Sequence, residues 1–346
     1  MYIQLGYEQC KADPCVFRKI VDGVVVAIVG VYVDDVIIGG LPSEVDALHE
    51  NLNKRFTTKH LGACTYYDGC AIVQDELKGT TTVTQEAYTN SLLARLGIKG
   101  TKPTPASPSS DLGPKRDDEQ VTDEPVREVL GSLLWLSTMT RVDIANAVRA
   151  VARHAHAPTD RHWRAVVHIL KYLNGTRGYG LTFVRGSGLR PIVYTDASYA
   201  DEVVDRRSVS GVAVVLGGAT VTHASKGQKI TATSSTEAEY ISAAEGLKDG
   251  LFVHSILAFV APETQTESIL VRDDNEGAIA LIQNPMSSAR TKHIDVRFHF
   301  IRSLFRKGVL TVEFVPTEVQ HADVLTKALS ETAFASHRNA LMNIKE

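Results

Sequence analysis

The stretch that most constrains the fold is Ile192-Val193-Tyr194-Thr195-Asp196-Ala197-Ser198, an apolar, β-branched run with one aspartate inside it. Such residues favour a strand, and a carboxylate within a buried strand is costly unless something pairs with it. Three later acids offer themselves as companions. Glu239 lies in Ser234-Ser235-Thr236-Glu237-Ala238-Glu239-Tyr240, Asp274 in Arg272-Asp273-Asp274-Asn275, and Asp323 in His321-Ala322-Asp323. Four carboxylates converging from two strands and two helix starts would make a two-metal phosphodiester site.

The order of elements around these acids predicts an α/β arrangement on a mixed sheet. Strands are expected over 191–197, 211–216 and 219–225, with Gly217-Gly218 as a hairpin turn, then a helix from near Ser235. A strand over 268–271 leads to Asp274, and helices follow over 276–282 and 294–305, the second stopped by Gly308. A strand over 309–315 precedes a last helix over 322–329. Near Ser235, both Thr236 with Glu239 and Ser234 with Glu237 have capping-box spacing. Residues two apart on a helix point to roughly opposite sides, so Glu237 and Glu239 cannot both serve one metal. Asp273 and Asp274 pose the same choice, because neighbours along a strand end alternate.

Length and charge set the outer bounds. A chain of 346 residues, 44% hydrophobic, can bury the cores of two domains or more. A formal net charge of -3, from 37 Lys plus Arg and 40 Asp plus Glu, argues against a basic nucleic-acid coat protein. It still leaves room for a local basic face. Arg290, Lys292, Arg297, Arg302, Arg306 and Lys307 supply one, to contact phosphates or to form a solvated helix face. Cys10, Cys15, Cys64 and Cys70 lack zinc-ligand spacing and read as free thiols of a reducing compartment. The most apolar run, 24–33, is too short to span a bilayer, so an intracellular protein without membrane contact is expected.

Upstream, 24–38 is an apolar run broken only by Asp34-Asp35, which predicts two strands joined at a tight acidic turn. Those carboxylates are either magnesium ligands or a solvated turn. Residues 43–56 predict an amphipathic helix capped by Ser43, with Val45, Leu48, Leu52 and Phe56 on one face. Strands around Gly79 and a helix over 85–96, ended by Gly97, come next. The Pro-, Ser- and Thr-rich 101–125, with its charge run Lys115-Arg116-Asp117-Asp118-Glu119, predicts a mobile linker. From 125 to 173 the apolar period is helical, and His154, His156, His162 and His168 are expected on helix surfaces rather than around a metal.

Five motifs resemble, in order, those of the ribonuclease H domain of Ty1/copia-type retrotransposon Pol polyproteins. They are Tyr194-Thr195-Asp196-Ala197, Asp205-Arg206-Arg207-Ser208-Val209-Ser210-Gly211, Ser234 to Tyr240, Ala289-Arg290-Thr291-Lys292-His293-Ile294-Asp295 and Ala322-Asp323-Val324-Leu325-Thr326-Lys327. Tyr32-Val33-Asp34-Asp35 resembles the polymerase motif of the same polyprotein. The chain departs from the family at Asp68-Gly69, usually Leu-Gly, and at Thr140-Arg141-Val142-Asp143-Ile144, which lacks a proline.

The resemblance implies a ribonuclease H-like mixed-sheet domain over 190–330. Before it would come a truncated α+β reverse-transcriptase palm and thumb portion (1–100), a linker (101–125) and a helical connection (126–185), and after it a tail (331–346). It places the catalytic, metal-ligating acids at Asp196, Glu239, Asp274 and Asp323, leaves Glu237 a capping role, and makes Asp34 and Asp35 a polymerase-motif remnant. The implied activity is hydrolysis of the RNA strand of an RNA·DNA hybrid by two Mg²⁺ ions, with Mn²⁺ as substitute. Contacts to 2′-hydroxyls would select RNA, and Arg290, Lys292 and Arg297 would bind nucleic acid. His321 is given no proton-transfer role. The implied partners are the hybrid and the remaining parts of a Pol polyprotein, in the cytoplasm (a virus-like particle) or the nucleus. The family's third polymerase aspartate has no match in the first 33 residues, so polymerisation is not expected of this chain alone. Two alternatives stay open: a non-catalytic remnant that at most binds nucleic acid, and an RNA-directed DNA polymerase once the upstream part is supplied.

Overall fold

The computed structural model describes residues 1–202, 204–284 and 295–345, without the side chains of 295–299. It divides into two compact units, Met1–Thr65 with Gly250–Glu267, and Tyr66–Asp249 with Ser268–Glu346. Among the described residues no helix is long and apolar enough to cross a membrane.

In the first unit, β1 (Glu8–Gln9), β2 (Val16–Val21), β3 (Val24–Tyr32) and β4 (Asp35–Gly40) form an antiparallel sheet in chain order. Helix α1 (Pro42–Asn53) lays Leu48 and Leu52 onto Phe17, Ala27 and Val29. The β3–β4 turn is as tight as expected, with Tyr32 paired to Asp35 across Val33-Asp34. It holds Val33 at φ 51°, a strained conformation for a β-branched residue. Two expectations fail here. Pro42 takes the first helical turn behind Leu41, so Ser43 is not the cap. The helix also stops at Asn53, which leaves Phe56 exposed instead of on the buried face.

The second unit holds two sheets. In the first, β5 (Tyr66–Tyr67), β6 (Cys70–Asp75) and β7 (Thr80–Thr84) are completed by β8 (Gly180–Val184). The preceding helical period hides β8. Only glycine fits at its start, because a Cβ on Gly180 would lie 2.1 Å from the Val83 carbonyl oxygen. Helices α2 (Glu86–Arg95), α3 (Val126–Met139), α4 (Ala145–Ala152) and α5 (Asp160–Gly175) pack their apolar faces into one core with α9 (Glu331–Met342). The expected tail is therefore a docked helix that buries Phe334, Leu341 and Met342.

Inside that core lies a charged pair. Arg141 and Asp143 are both 1% exposed. The guanidinium donates from Nε to Asp143 Oδ1 (3.0 Å) and from Nη2 to Oδ2 (2.8 Å), and from Nη1 to the Thr176 carbonyl (2.9 Å). Tyr172 donates its hydroxyl to the same Oδ2 at 2.5 Å. The network satisfies itself, which is the condition for burying ions at all.

Residues 101–125 carry no helix or strand, but they are not a free linker. His154, His162 and His168 each place Nε2 3.0–3.1 Å from a backbone carbonyl of that segment, those of Leu112, Gly113 and Thr104. Arg161 adds bonds to the Asp111 and Pro114 carbonyls and to Glu119. Three of the four histidines are thus clasps, not surface side chains. His162 also caps α5, because its Nδ1 accepts from the Thr159 amide (3.0 Å), so the ring proton sits on Nε2.

The second sheet runs β11-β10-β9-β12-β13, built from β9 (Ile192–Ser198), β10 (Val209–Leu216), β11 (Ala219–Gly227), β12 (Ile269–Asp273) and β13 (Leu310–Phe314). The hairpins β9–β10–β11 are antiparallel, and β12 runs parallel to β9 and β13. This is the mixed sheet expected from the sequence, with Gly217 and Gly218 both at positive φ in the tight turn. Helices α6 (Ser235–Val260), α7 (Glu276–Gln283) and α8 (Asp295–Arg306) follow the expected order.

Asp143→Asn should cost about 3–5 kcal/mol in chemical denaturation, since it strands a buried guanidinium. Burial lowers the pKa of all three clasp histidines, His154 to about 4. A depressed folded value means that this support is present above the ordinary histidine range and lost as pH falls through it. Amide-exchange protection of 104–114 should drop progressively from about pH 7, where an unperturbed histidine begins to titrate, to about 4, the folded value of His154.

Candidate metal centre

Strand β9 is buried along both faces and carries Asp196 in its middle, opposite Gly211 of β10. The absent side chain of Gly211 makes the site possible: a Cβ there would lie 2.6 Å from Thr326 Cγ2 and 2.9 Å from the Ala322 carbonyl oxygen. Over this gap packs a 3-10 turn, His321–Leu325, in place of the helix expected over 322–329. Its side-chain bonds account for the difference. Gln320 Nε2 donates to the Thr195 carbonyl (2.9 Å), and the Thr326 hydroxyl is shared between Asp196 Oδ2 and the Asp323 carbonyl. On the other side, Ser242 of α6 donates to the Asp196 carbonyl (2.8 Å), and Gly246 lets α6 approach Val193 and Thr195.

Three of the four expected acids meet. Oxygens of Asp196, Asp274 and Asp323 lie within 4.8 Å of one another, and among the described residues no other acid joins that set. Glu239 sits beside it, 6% exposed, with Oε2 lacking a hydrogen-bond partner. Both paired choices resolve physically. The Glu237 side chain turns back to accept from the Thr233 amide (2.8 Å) and hydroxyl (2.6 Å) while its own amide donates to Ser234, which makes it a cap. Asp273, fully buried, is consumed by the Thr195 hydroxyl (3.0 Å) and the Asn275 amide (2.8 Å). Asp274 is half-buried, its Oδ2 accepting from Thr317 (2.8 Å).

The electrostatics follow from crowding. Burial, then the charges of Asp196, Asp273 and Asp274, push the Glu239 carboxyl far above its usual range. Burial raises Asp196 and Asp323 as well, and Lys327 opposes both shifts. The Lys327 ammonium lies 2.9 Å from Asp323 Oδ1. Hard carboxylate oxygens on rigid elements, one of them without a partner, fit a divalent cation.

Other expected residues do not join the cluster. Asp34 and Asp35 are exposed at the β3–β4 turn. Arg290 and Lys292 lie outside the described residues, and of Arg297 only the backbone, in α8, is described. Arg302 donates to the Leu281 carbonyl (2.7 Å) and is buried, so it belongs to the core and not to a phosphate face. His321 packs on Tyr194, its Nδ1 3.1 Å from that of His337. Sequence reasoning passed over Ser242, Gln320, Thr326 and Lys327. The last two stand inside a quoted motif, where only the acid was given a role.

Carboxyls with raised folded values hold protons that the unfolded chain releases. That contribution is complete below the ordinary carboxylate range and is lost as pH rises through the folded values. Metal-free thermal stability should therefore decline above about pH 5, by up to about 1.4 kcal/mol per pH unit per site, and Glu239→Gln should flatten the decline. Melting temperatures across pH in a chelating buffer check this.

Comparison with known proteins follows the same division of the chain. Residues 1–108 match the reverse transcriptase (RNA-dependent DNA polymerase) family. The retrovirus-related Pol polyprotein from transposon TNT 1-94 of Nicotiana tabacum is 35% identical over 339 residues, 95% of this chain and 25% of that protein. The chain thus spans about a quarter of the length of that relative. The putative transposon Ty5-1 protein of Saccharomyces cerevisiae is 31% identical over 233 residues, 66% of this chain and 75% of the relative. Among solved structures, LC11-RNase H1 in complex with RNA/DNA hybrid aligns with 40% of this chain and 94% of its own, at 21% identity and a TM-score of 0.30, a likeness that decides nothing by itself. Long identity to transposon Pol proteins, over a mixed sheet that gathers the motif acids, is decisive: the chain belongs to the Ty1/copia-type retrotransposon Pol family.

Proposed function

We propose that the second unit hydrolyses the RNA strand of RNA·DNA hybrids with Mg²⁺, for which Mn²⁺ can substitute. The observation that carries this reading is the meeting of Asp196, Asp274 and Asp323 within 4.8 Å, beside the unpartnered Glu239. Magnesium prefers hard oxygen ligands and keeps several waters, which suits carboxylates spread over separate elements. Two bound ions would activate the attacking water and stabilise the leaving 3′ oxygen.

The protein's own groups do the positioning. Asp196 is immobilised by the sheet and by Thr326, and Asp323 by its turn. Asp274, more open and steered by Thr317, stands where a scissile phosphate can approach. Glu239 holds its proton in the metal-free site, because it is buried and its neighbours are acids. RNA is selected through 2′-hydroxyls in the wide minor groove. The remaining parts of a Pol polyprotein are the proposed partners, in the cytoplasm or nucleus.

A polymerase reading has the family match over 1–108 behind it. Against it, no third acid among the described residues stands within ligand distance of Asp34 and Asp35. A labelled-hybrid assay on the purified chain separates the readings. Mg²⁺-dependent cleavage is expected, and Asp274→Asn should lower it by more than the roughly 10–100-fold that outer-shell changes cost. No cleavage by the folded parent chain would favour a non-catalytic remnant. Template-directed DNA synthesis lost on Asp34→Asn would favour the polymerase.

A further inference from the structure

We infer that Lys327 is a built-in counter-cation of the acidic centre, competing with divalent metal for the same carboxylates and so setting metal affinity. The inference rests on the metal-centre reading above and adds the residue that tunes it.

The geometry carries the argument. Lys327 follows Asp323 by four residues and lies 2.9 Å from its Oδ1, an oxygen of the clustered carboxylates. The acids facing it come from every element of the site: Asp196 from β9, Glu239 from α6, Asp274 just after β12, and Asp323 from the turn. Among the described residues no other Lys or Arg forms an ion pair with Asp196, Glu239, Asp274 or Asp323. The backbone beneath Lys327 is pinned by the bonds of Thr326 and Gln320 and by the close approach at Gly211. Its side chain is still 41% exposed, on a four-carbon stem that can turn into solvent. A fixed root with a free tip suits a cation that balances the carboxylates alone and yields when a divalent ion competes for them.

The contest is electrostatic, so removing the charge has two opposite effects. Lys327→Gln leaves the acids less compensated, which weakens the metal-free fold. It also deepens the negative potential, which strengthens divalent binding. A lysine that only packs, or only orients Asp323, would on removal weaken both.

The test uses the full chain, with Mn²⁺ binding followed by electron paramagnetic resonance and thermal unfolding in chelator and in saturating Mn²⁺. Lys327→Gln should bind Mn²⁺ at least about ten-fold more tightly, melt lower than the parent in chelator, and regain parental stability when saturated. Lys327→Arg, which keeps the charge, should stay near the parent in all three. Should Lys327→Gln fold only when Mn²⁺ is present, that too supports the inference. Equal or weaker Mn²⁺ binding by folded Lys327→Gln overturns it while leaving the metal centre intact. A folded parent that binds no Mn²⁺ overturns the metal centre itself and this inference with it.

Discussion

The burial of Asp196 in the middle of a strand enclosed on both faces is the constraint on which the rest of the structure depends. A carboxylate there is tolerated only with close polar support. That support dictates the surroundings: Ser242 on the carbonyl, Thr326 on the carboxylate, and two glycines, 211 and 246, that let the turn and α6 come near enough to deliver them. The same contacts bring Asp323 and Glu239 to the strand. The fold does not carry a separate site; the means of burying one acid also assembles the others.

Two buried charge clusters in the second unit show opposite solutions. Around Arg141 every donor and acceptor in reach is used, with Asp143, Thr176 and Tyr172 closing the network, so its chemistry is spent on holding helices together. Around Asp196 the clustered side chains are acids, a carboxylate oxygen of Glu239 lacks a partner, and among the described residues Lys327 alone forms an ion pair with them. A self-satisfied network is structural, whereas an under-compensated one is disposed to take up cations. Residues of the same types therefore serve different ends according to who faces whom.

Much of this was legible in the sequence, and the misses share a cause. Periodicity and turn chemistry located β9 to β13, the Gly217-Gly218 hairpin and the acid-bearing ends of strands and helices. They failed where a long-range partner overrides local preference. The turn after Gln320 reads as helix until its bonds to β9 are seen. The segment 101–125 reads as mobile because its partners are histidines more than forty positions away in the chain. Strand β8 is too short to stand out, and pairs with a strand about a hundred residues earlier.

By itself the sequence determined most of the elements, their order, and which acids were candidates, because hydrophobic period, glycine turns and capping patterns are local. Side-chain direction along a helix or strand showed that Glu237 and Glu239, like Asp273 and Asp274, cannot both face one metal, and the resemblance to the family motif chose Glu239 and Asp274. Only the tertiary structure decided that Asp196, Asp274 and Asp323 share one coordination distance while Glu239 stands beside them, and that Lys327 enters their field. Those outcomes turn on separations of a few ångströms between elements remote in sequence. Such separations are set by how closely backbones approach, at Gly211 and Gly246, and no local pattern encodes that.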